Sequence, residues 1–354
     1  MDTIFLTGFP GFLGTRLVRA LAAEHPEAHF LLLIQPKFKA DAEQTLTALD
    51  LTDRAELLPG DITEPDLGLG DLYEAVLPAV THAYHFAAVY DLAVPRDIGW
   101  TVNVDGTRHV LDLLAQCPKL ELFGYVSTAY VSGERTGLIR EDELVHAAGF
   151  KNHYEETKYH AEVLVQDRMD TVPTVVFRPA IVVGDSRTGE TAKFDGPYFI
   201  VKALRRLPNV TLMTRVGSGK NTVNLVPADF VIEAMAALSR PAHAGTVFHL
   251  TDPHPMTTQG IMELFTDLLG MKVAYVPIPP AVARTLMDTG AGSYLGISPE
   301  LIDYFDHPSR YDSSHTEQAL AGTGIACPPL VSYAHRMVDY LNQHERQVRS
   351  EAMY

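Results

Sequence analysis

Along the first 180 or so residues, short apolar runs alternate with stretches whose apolar positions recur every three or four residues. The runs 3–7, 29–34, 55–58, 82–86, 122–127 and 174–177 are short and mostly apolar, several with β-branched or aromatic side chains, the pattern of strands in a covered sheet. Between the first two, 14–24 sets Leu17 and Leu21 on one helical face. Strands alternating with helices predict an α/β fold, a doubly wound parallel sheet of the Rossmann kind with right-handed crossovers. After Arg178-Pro179 the texture changes, and Gly, Pro, Asp and Thr crowd 184–196. Residues 221–238 read as a returning strand and helix, 246–250 as a further strand, and 253–345 as short helices among Pro- and Gly-rich loops. The expected division is a Rossmann domain, 1–183 plus 221–252, and a smaller, discontinuous C-terminal domain over the strand ends, 184–220 plus 253–345. Residues 346–354 are expected to be a tail.

Composition narrows the function more than the fold. The 354 residues are 46% hydrophobic and 20% charged, ordinary for a globular chain with a sizeable core. A net charge of −16, with no basic run, argues against nucleic acid as a partner. Cys117 and Cys327 are far apart and lack ligand-spaced neighbours, and the 15 histidines form no H-E-x-x-H motif; neither a disulfide framework nor a metal is expected. No stretch approaches the roughly 20 apolar residues of a membrane helix. The chain opens on a strand-like run without a basic lead or cleavage site, so a cytoplasmic location is expected.

The first candidate site follows the first strand. Thr7-Gly8-Phe9-Pro10-Gly11-Phe12-Leu13-Gly14 joins strand to helix. Its glycines permit a tight turn and a close backbone approach to a pyrophosphate, which the helix N-terminus attracts. An NAD site usually ends its second strand in an acid that holds the ribose 2′-hydroxyl. Here the strand runs into Gln35-Pro36-Lys37-Phe38-Lys39. With no acid to repel a 2′-phosphate, and with Lys37 or Lys39 to pair with it, NADP(H) is expected over NAD(H). Asp61 and Ile62 follow the third strand, where a carboxylate can accept from the adenine amine. Ala87 and Ala88 follow the fourth, where small residues leave room for the cofactor.

The second candidate site is catalytic. Tyr154 and Lys158 stand at i and i+4 on one helical face. Reduction of a carbonyl needs a proton donor, and a nearby ammonium favours the phenolate left behind. Upstream, Val126-Ser127-Thr128 ends a strand and offers a hydroxyl to the substrate oxygen. Thr128, five residues before Gly133, is the first choice and Ser127 the alternative. Asn103 is a candidate for ordering water and Lys158, with a helix-capping or kink residue as its plainer reading. Phe194, Tyr198 and Phe199 suggest a lipid-like or aromatic substrate, or simply core packing.

These words, in this order, resemble the extended short-chain dehydrogenases/reductases from Thr7 to about Leu250, with a weaker echo in Asp312 and Thr323-Gly324-Ile325. Within them the chain is most similar to the male-sterility and thioester-reductase branch, which includes fatty acyl-CoA reductases and the reductase domains of carboxylic acid reductases. Gly11-Phe12-Leu13-Gly14, Asp61-Ile62-Thr63 with Leu67-Gly68-Leu69, Tyr125-Val126-Ser127-Thr128-Ala129-Tyr130-Val131, Arg178 through Asp185, and Thr188-Gly189-Glu190 carry this likeness. The resemblance implies Thr128, Tyr154 and Lys158 as a catalytic triad, with Pro179 and the backbone of Ala180, Ile181 and Val182 beside the nicotinamide. It departs where the branch commonly has Arg and this chain has Gln35, and where Phe9-Pro10 replaces small and hydroxyl residues. The implied function is an NADP(H)-dependent reductase of an aldehyde, ketone or acyl thioester, reversible as an alcohol dehydrogenase. A thioester would pass through a hemithioacetal to the aldehyde. The alternatives are a hydroxysteroid-dehydrogenase-like or nucleotide-sugar enzyme, and an NADP-sensing binding protein without chemistry. A homodimer through Rossmann helices is the expectation at family level.

Overall fold

The computed structural model describes residues 2–216, 219–278, 304 and 307–345. The expected tail lies outside the described residues, as does the 279–303 part of the expected substrate domain.

Seven parallel strands form the central sheet: β1 (Thr3–Thr7), β2 (His29–Ile34), β3 (Ala55–Pro59), β4 (His82–His85), β5 (Leu122–Val126), β7 (Thr174–Pro179) and β11 (Val247–Leu250), in the order β11-β7-β5-β4-β1-β2-β3. The chain winds outward from β1 to β3 and returns on the other side of β1 as β4. Thr7 pairs with Leu33 on one side and with His85 on the other. A crevice therefore opens at the carboxyl ends of β1 and β4, where open α/β sheets bind ligands.

The inner strands are buried on both faces because helices cover both. On one face, Leu17, Val18 and Leu21 of the helix Phe12–Glu24 pack with Val231 and Met235 of the helix Ala228–Leu238. On the other, Leu111 and Leu114 of Gly106–Leu114 pack with Ala161 and Val165 of His153–Gln166. The first helix begins at Phe12, two positions ahead of the predicted start, because Gly11 already closes the turn.

A separate apolar cluster forms around Tyr198, Leu204, Phe265, Met337 and Leu341. Two-stranded parallel pairs accompany it: β8 (Ile181–Val183) with β10 (Leu225–Pro227), and β9 (Val210–Val216) with β12 (Lys272–Ile278). The last part of the chain then comes back to the sheet. β6 (Gly137–Ile139) pairs with β13 (Ser309–Tyr311), and Leu320 joins the core on the first face. β10 and the helix after it are the returning strand and helix expected within 221–238. β6, β8 and β13, of three residues each, are too short for a period-2 signal and were not predicted, nor was the seven-residue pair of β9 and β12. No helix among the described residues is long and apolar enough to cross a membrane.

Candidate active site

The glycine loop is shaped by close approaches. Gly8 has φ of +90°, and a Cβ on it would lie 2.7 Å from the Cβ of Phe86 and 2.8 Å from the Ala87 nitrogen. A Cβ on Gly14 would lie 2.5 Å from the Gly8 carbonyl oxygen, so the helix starts hard against the turn. Gly11 caps that helix without a side chain, which leaves first-turn N–H groups for a ligand. A compact backbone cradle beside an uncapped helix start fits a dinucleotide's pyrophosphate. Phe9 is the exception within the loop: its side chain is 3% exposed and belongs to the core, so only its backbone is left for a cofactor.

At the far end of the crevice, the Gln35 amide donates to Asp61 Oδ2 at 2.7 Å, and the Thr63 nitrogen and hydroxyl donate to Oδ1 at 2.9 and 2.8 Å. Those bonds, with the charge of Lys37, hold the Asp61 carboxyl below its usual range against the opposing effect of burial. Lys39 points along its own helix, 3.8 Å from Glu43. The Ile62 side chain packs beneath Gly106.

The helix that carries Tyr154 and Lys158, His153–Gln166, is capped by Asn152, whose Oδ1 accepts from the Glu155 nitrogen at 3.0 Å. That start sets Tyr154 in the first turn and Lys158 one turn on. The Tyr154 phenol hydrogen-bonds with Thr128, yet burial and the charge of Glu155 raise it well above the ordinary phenol range, and it stays protonated at neutral pH. Lys158 is 4% exposed. Burial lowers its amine to about 8, with Glu162 acting the other way.

Of the two hydroxyls that the sequence left open, Ser127 is spent elsewhere. Its Oγ donates to Glu162 at 2.5 Å, and Glu162 is gripped by Arg178 at 2.6 Å. Thr128 caps the short helical turn Ala129–Ser132, with its Oγ1 3.3 Å from the Tyr130 nitrogen. Thr128 is the hydroxyl that meets Tyr154.

Asn103 sits in a π-helical turn, Trp100–Asp105, a widened geometry common at functional sites. Its amide does not reach Lys158. It accepts from the Val89 nitrogen at 2.9 Å and donates to Thr157 Oγ1 at 3.0 Å. Asn103 thus ties the segment after β4 to the helix that carries Tyr154 and Lys158.

One cavity of about 510 Å³ brings together Phe12, Leu13, Ala88, Val126, Ser127, Thr128, Tyr154, Lys158 and residues 179–182. Its volume is that of a small-molecule site. Thr7, Gly8, Gly11, Gly14, Gln35, Lys37, Asp61 and Ala87 do not line it; they follow the crevice instead. The opposite wall adds side chains absent from the sequence reading, chiefly Tyr90, Asp195 and Tyr304. The Tyr90 ring stands edge-on to Tyr154 at 5.2 Å, and its only sequence signal is its place just after Ala87-Ala88. Phe194 and Phe199 line the cavity as well. Tyr198 does not: it is 1% exposed and its hydroxyl accepts from the Gly184 nitrogen at 3.1 Å.

The Gly184-Asp185 and Thr188-Gly189-Glu190 words are explained by structure. Asp185 Oδ1 accepts from the nitrogens of Arg187 and Thr188 at 2.8 and 3.0 Å. Arg16 of the first helix pairs with Asp185 at 3.0 Å and with Glu190 at 2.6 Å.

A model of the family described as male sterility protein matches residues 6–235. The chain belongs to this family. With the sheet order above, that places it in the male-sterility branch of the extended short-chain dehydrogenases/reductases, as its motifs suggested. The chain is 30% identical over 288 residues to glycine betaine reductase of Emericella nidulans, covering 74% of this chain and 22% of that one. It is 25% identical over 315 residues to fatty acyl-CoA reductase 1 of Arabidopsis thaliana, covering 69% of this chain and 64% of that one. The chain therefore spans less than two thirds of either relative. Among solved structures it is similar to the terminal R domain from the myxalamid PKS-NRPS biosynthetic pathway, with a TM-score of 0.82, 26% identity, and coverage of 100% of this chain and 93% of that one.

Proposed function

We propose that this protein is an NADP(H)-dependent oxidoreductase that reduces an acyl thioester or a related aldehyde or ketone, and oxidises the matching alcohol in reverse. The observation that carries this reading is the convergence of Thr128, Tyr154 and Lys158 on one wall of a cavity at the open end of the glycine-loop crevice. The bound nicotinamide would supply the hydride for the carbonyl carbon. Tyr154, held protonated by burial, gives its proton to the carbonyl oxygen. The Thr128 hydroxyl steadies the same oxygen as charge gathers there. The ammonium of Lys158 favours the phenolate left on Tyr154 and stands ready for the ribose hydroxyls. A thioester reduced this way becomes a hemithioacetal, which loses its thiol to leave an aldehyde.

The preference for NADP(H) rests on Gln35 in place of an acid after β2 and on Lys37 beside it. The apolar lining from Phe12, Phe86, Phe194 and Phe199 suits an acyl chain, in keeping with the fatty acyl-CoA reductase among the relatives. In this reading, 1–183 with 221–252 holds the dinucleotide, and 184–220 with 253–345 closes over the substrate.

The test is NADPH oxidation by purified protein with a panel of acyl-CoA thioesters and aldehydes. Tyr154→Phe should lower kcat about 10²- to 10⁴-fold while NADPH still binds. Full activity in that variant would overturn the assignment.

A further inference from the structure

Lys158 sits where an ammonium is costly, and what holds it there is not a carboxylate bonded to its amine. Nζ donates to the Val126 carbonyl at 2.7 Å and to the Tyr125 phenol oxygen at 3.1 Å, and it stands 4.7 Å from the centre of the Tyr125 ring. Glu162, one turn further along the helix, faces the amine, but its carboxylate is bound to Arg178 and Ser127. The other titratable groups around Lys158 are Tyr154 on its own helix, Tyr125 on β5 and His85 on β4.

Tyr125 is fully buried within the sheet, where a phenylalanine would pack equally well; its hydroxyl needs a reason. That hydroxyl also meets Thr107. Thr107 Oγ1 donates its one hydrogen to the Asn103 carbonyl at 2.6 Å and stands 3.1 Å from His85 Nε2. With its hydrogen committed, Thr107 accepts from Tyr125 and from His85. The Tyr125 O–H thus points at Thr107, and its oxygen lone pairs are turned toward Lys158.

We propose that Tyr125, oriented by Thr107, is the positioning residue that holds Lys158 on the cavity wall and keeps its amine charged beside Tyr154. The proposal rests on the reductase reading for its consequence in turnover, though not for the tether itself. An oxygen acceptor stabilises the ammonium over the neutral amine, and so does the ring face. Removing the oxygen alone makes the charged form harder to keep. The amine then loses its proton at lower pH, and the alkaline limb of turnover moves with it.

The experiment combines a side-chain lysine NMR titration with pH–rate profiles, using wild type, Tyr125→Phe, Thr107→Val and Thr107→Ser, with Lys158→Met to identify the resonance by its loss. In Tyr125→Phe the Lys158 midpoint should fall by about one pH unit, as loss of a bond to a charged group implies. At pH 8, kcat should fall roughly fivefold from that shift, with KM little changed. Thr107→Val should move both readouts in the same direction, and Thr107→Ser should restore them. If Tyr125→Phe does not fold, the Thr107 pair decides alone.

Titrations and alkaline limbs that coincide with wild type in the folded variants would overturn the proposal. A shifted Lys158 titration in a protein with no reductase activity would instead remove the reductase reading and leave the tether standing.

Discussion

Two polar systems are buried behind the cavity wall, one on each side of Lys158, and they are built from different materials. Toward the cofactor loop runs a neutral chain. The Ala87 nitrogen donates to Thr7 Oγ1 at 3.1 Å, Thr7 Oγ1 lies 2.7 Å from His85 Nδ1, and His85 Nε2 donates to Thr107. Burial, aided by the charge of Lys158, lowers His85 to about 3, so every link is uncharged at neutral pH. Toward β11 the system is ionic. Arg178, 1% exposed, grips both oxygens of Glu162, donates to the carbonyls of Glu141 and Glu143 at 3.1 and 3.0 Å, and reaches His249 Nε2 at 3.1 Å. Glu141 in turn accepts from the nitrogens of His249, His315 and Thr316 and from the Thr316 hydroxyl.

The neutral chain joins β1, β4 and one helix. The ionic system gathers the Tyr154–Lys158 helix, β7, β11, the segment at 141–143 and the segment at 312–316. A guanidinium with five donors can tie many distant segments together; a hydroxyl can tie two or three. The difference teaches where the fold is stapled and where the cofactor is served. Ionic bonds secure the returning C-terminal segment to the sheet edge, and neutral bonds set the floor of the crevice.

The sharpest way to break this comparison is at Arg178. Arg178→Met leaves Glu162 charged, buried and bonded only to neutral groups. The expected loss is about 3–5 kcal/mol of unfolding free energy, read by urea denaturation. Replacing Glu162 as well, as Arg178→Met with Glu162→Met, should recover part of it. A loss below roughly 1 kcal/mol in the single variant, the value of an exposed pair, would mean that the ionic system does not staple the fold.

What was legible in the sequence follows the same division. The sheet strands are covered on both faces, so they are apolar at successive positions and stand out along the chain. The glycine loop and the Tyr154–Lys158 pair are local patterns, and local spacing suffices to place them. The choice between Ser127 and Thr128 was hidden because it depends on Glu162, 35 positions away, and on the Arg178 that fixes it. The partners of Asn103 lie on Val89 and Thr157, and no spacing rule connects those three. Phe9 has the position of a cofactor residue but the chemistry of a core residue, and in its side chain the core prevailed. Tyr90 and Asp195 line one cavity only because the chain leaves the sheet after β7 and folds back across the crevice.

A second, smaller break acts on both systems through pH. Burial also lowers His249 to about 3, with the Arg178 charge helping and its bond to the Asp312 carbonyl opposing. In the unfolded chain both His85 and His249 return to about 6.5. Below that pH the unfolded state takes up protons that the folded state refuses, so stability falls as pH falls from about 6.5 toward 3. Each histidine should cost roughly 1 kcal/mol per pH unit in that window, on the order of 2 kcal/mol each between pH 6.5 and 5. Urea midpoints at pH 7 and pH 5 check this. His85→Gln and His249→Gln should each flatten the dependence by about half of the two-histidine contribution. A dependence unchanged in both variants would place the titration elsewhere and separate the two systems from it.

The smallest effect, and the one that divides the systems by function, is expected at Thr7. Thr7→Val keeps the shape of a side chain that is fully buried but removes its hydroxyl, leaving His85 Nδ1 without its donor and the Ala87 N–H without its acceptor. Neutral groups left unpaired in this way cost about 1–2 kcal/mol, less than the loss of Arg178. Yet Ala87 closes over Gly8 at the mouth of the crevice, so its backbone position governs how the glycine loop meets a pyrophosphate. NADPH affinity, measured by fluorescence titration, should therefore weaken several-fold in Thr7→Val, on the order of the 1 kcal/mol that a lost positioning bond is worth. Arg178→Met, measured where it remains folded, should leave that affinity nearly unchanged. The reverse pattern, with Thr7→Val as destabilising as Arg178→Met and neutral toward NADPH, would mean that the uncharged chain is a second staple and that the crevice floor is set by the glycine loop alone.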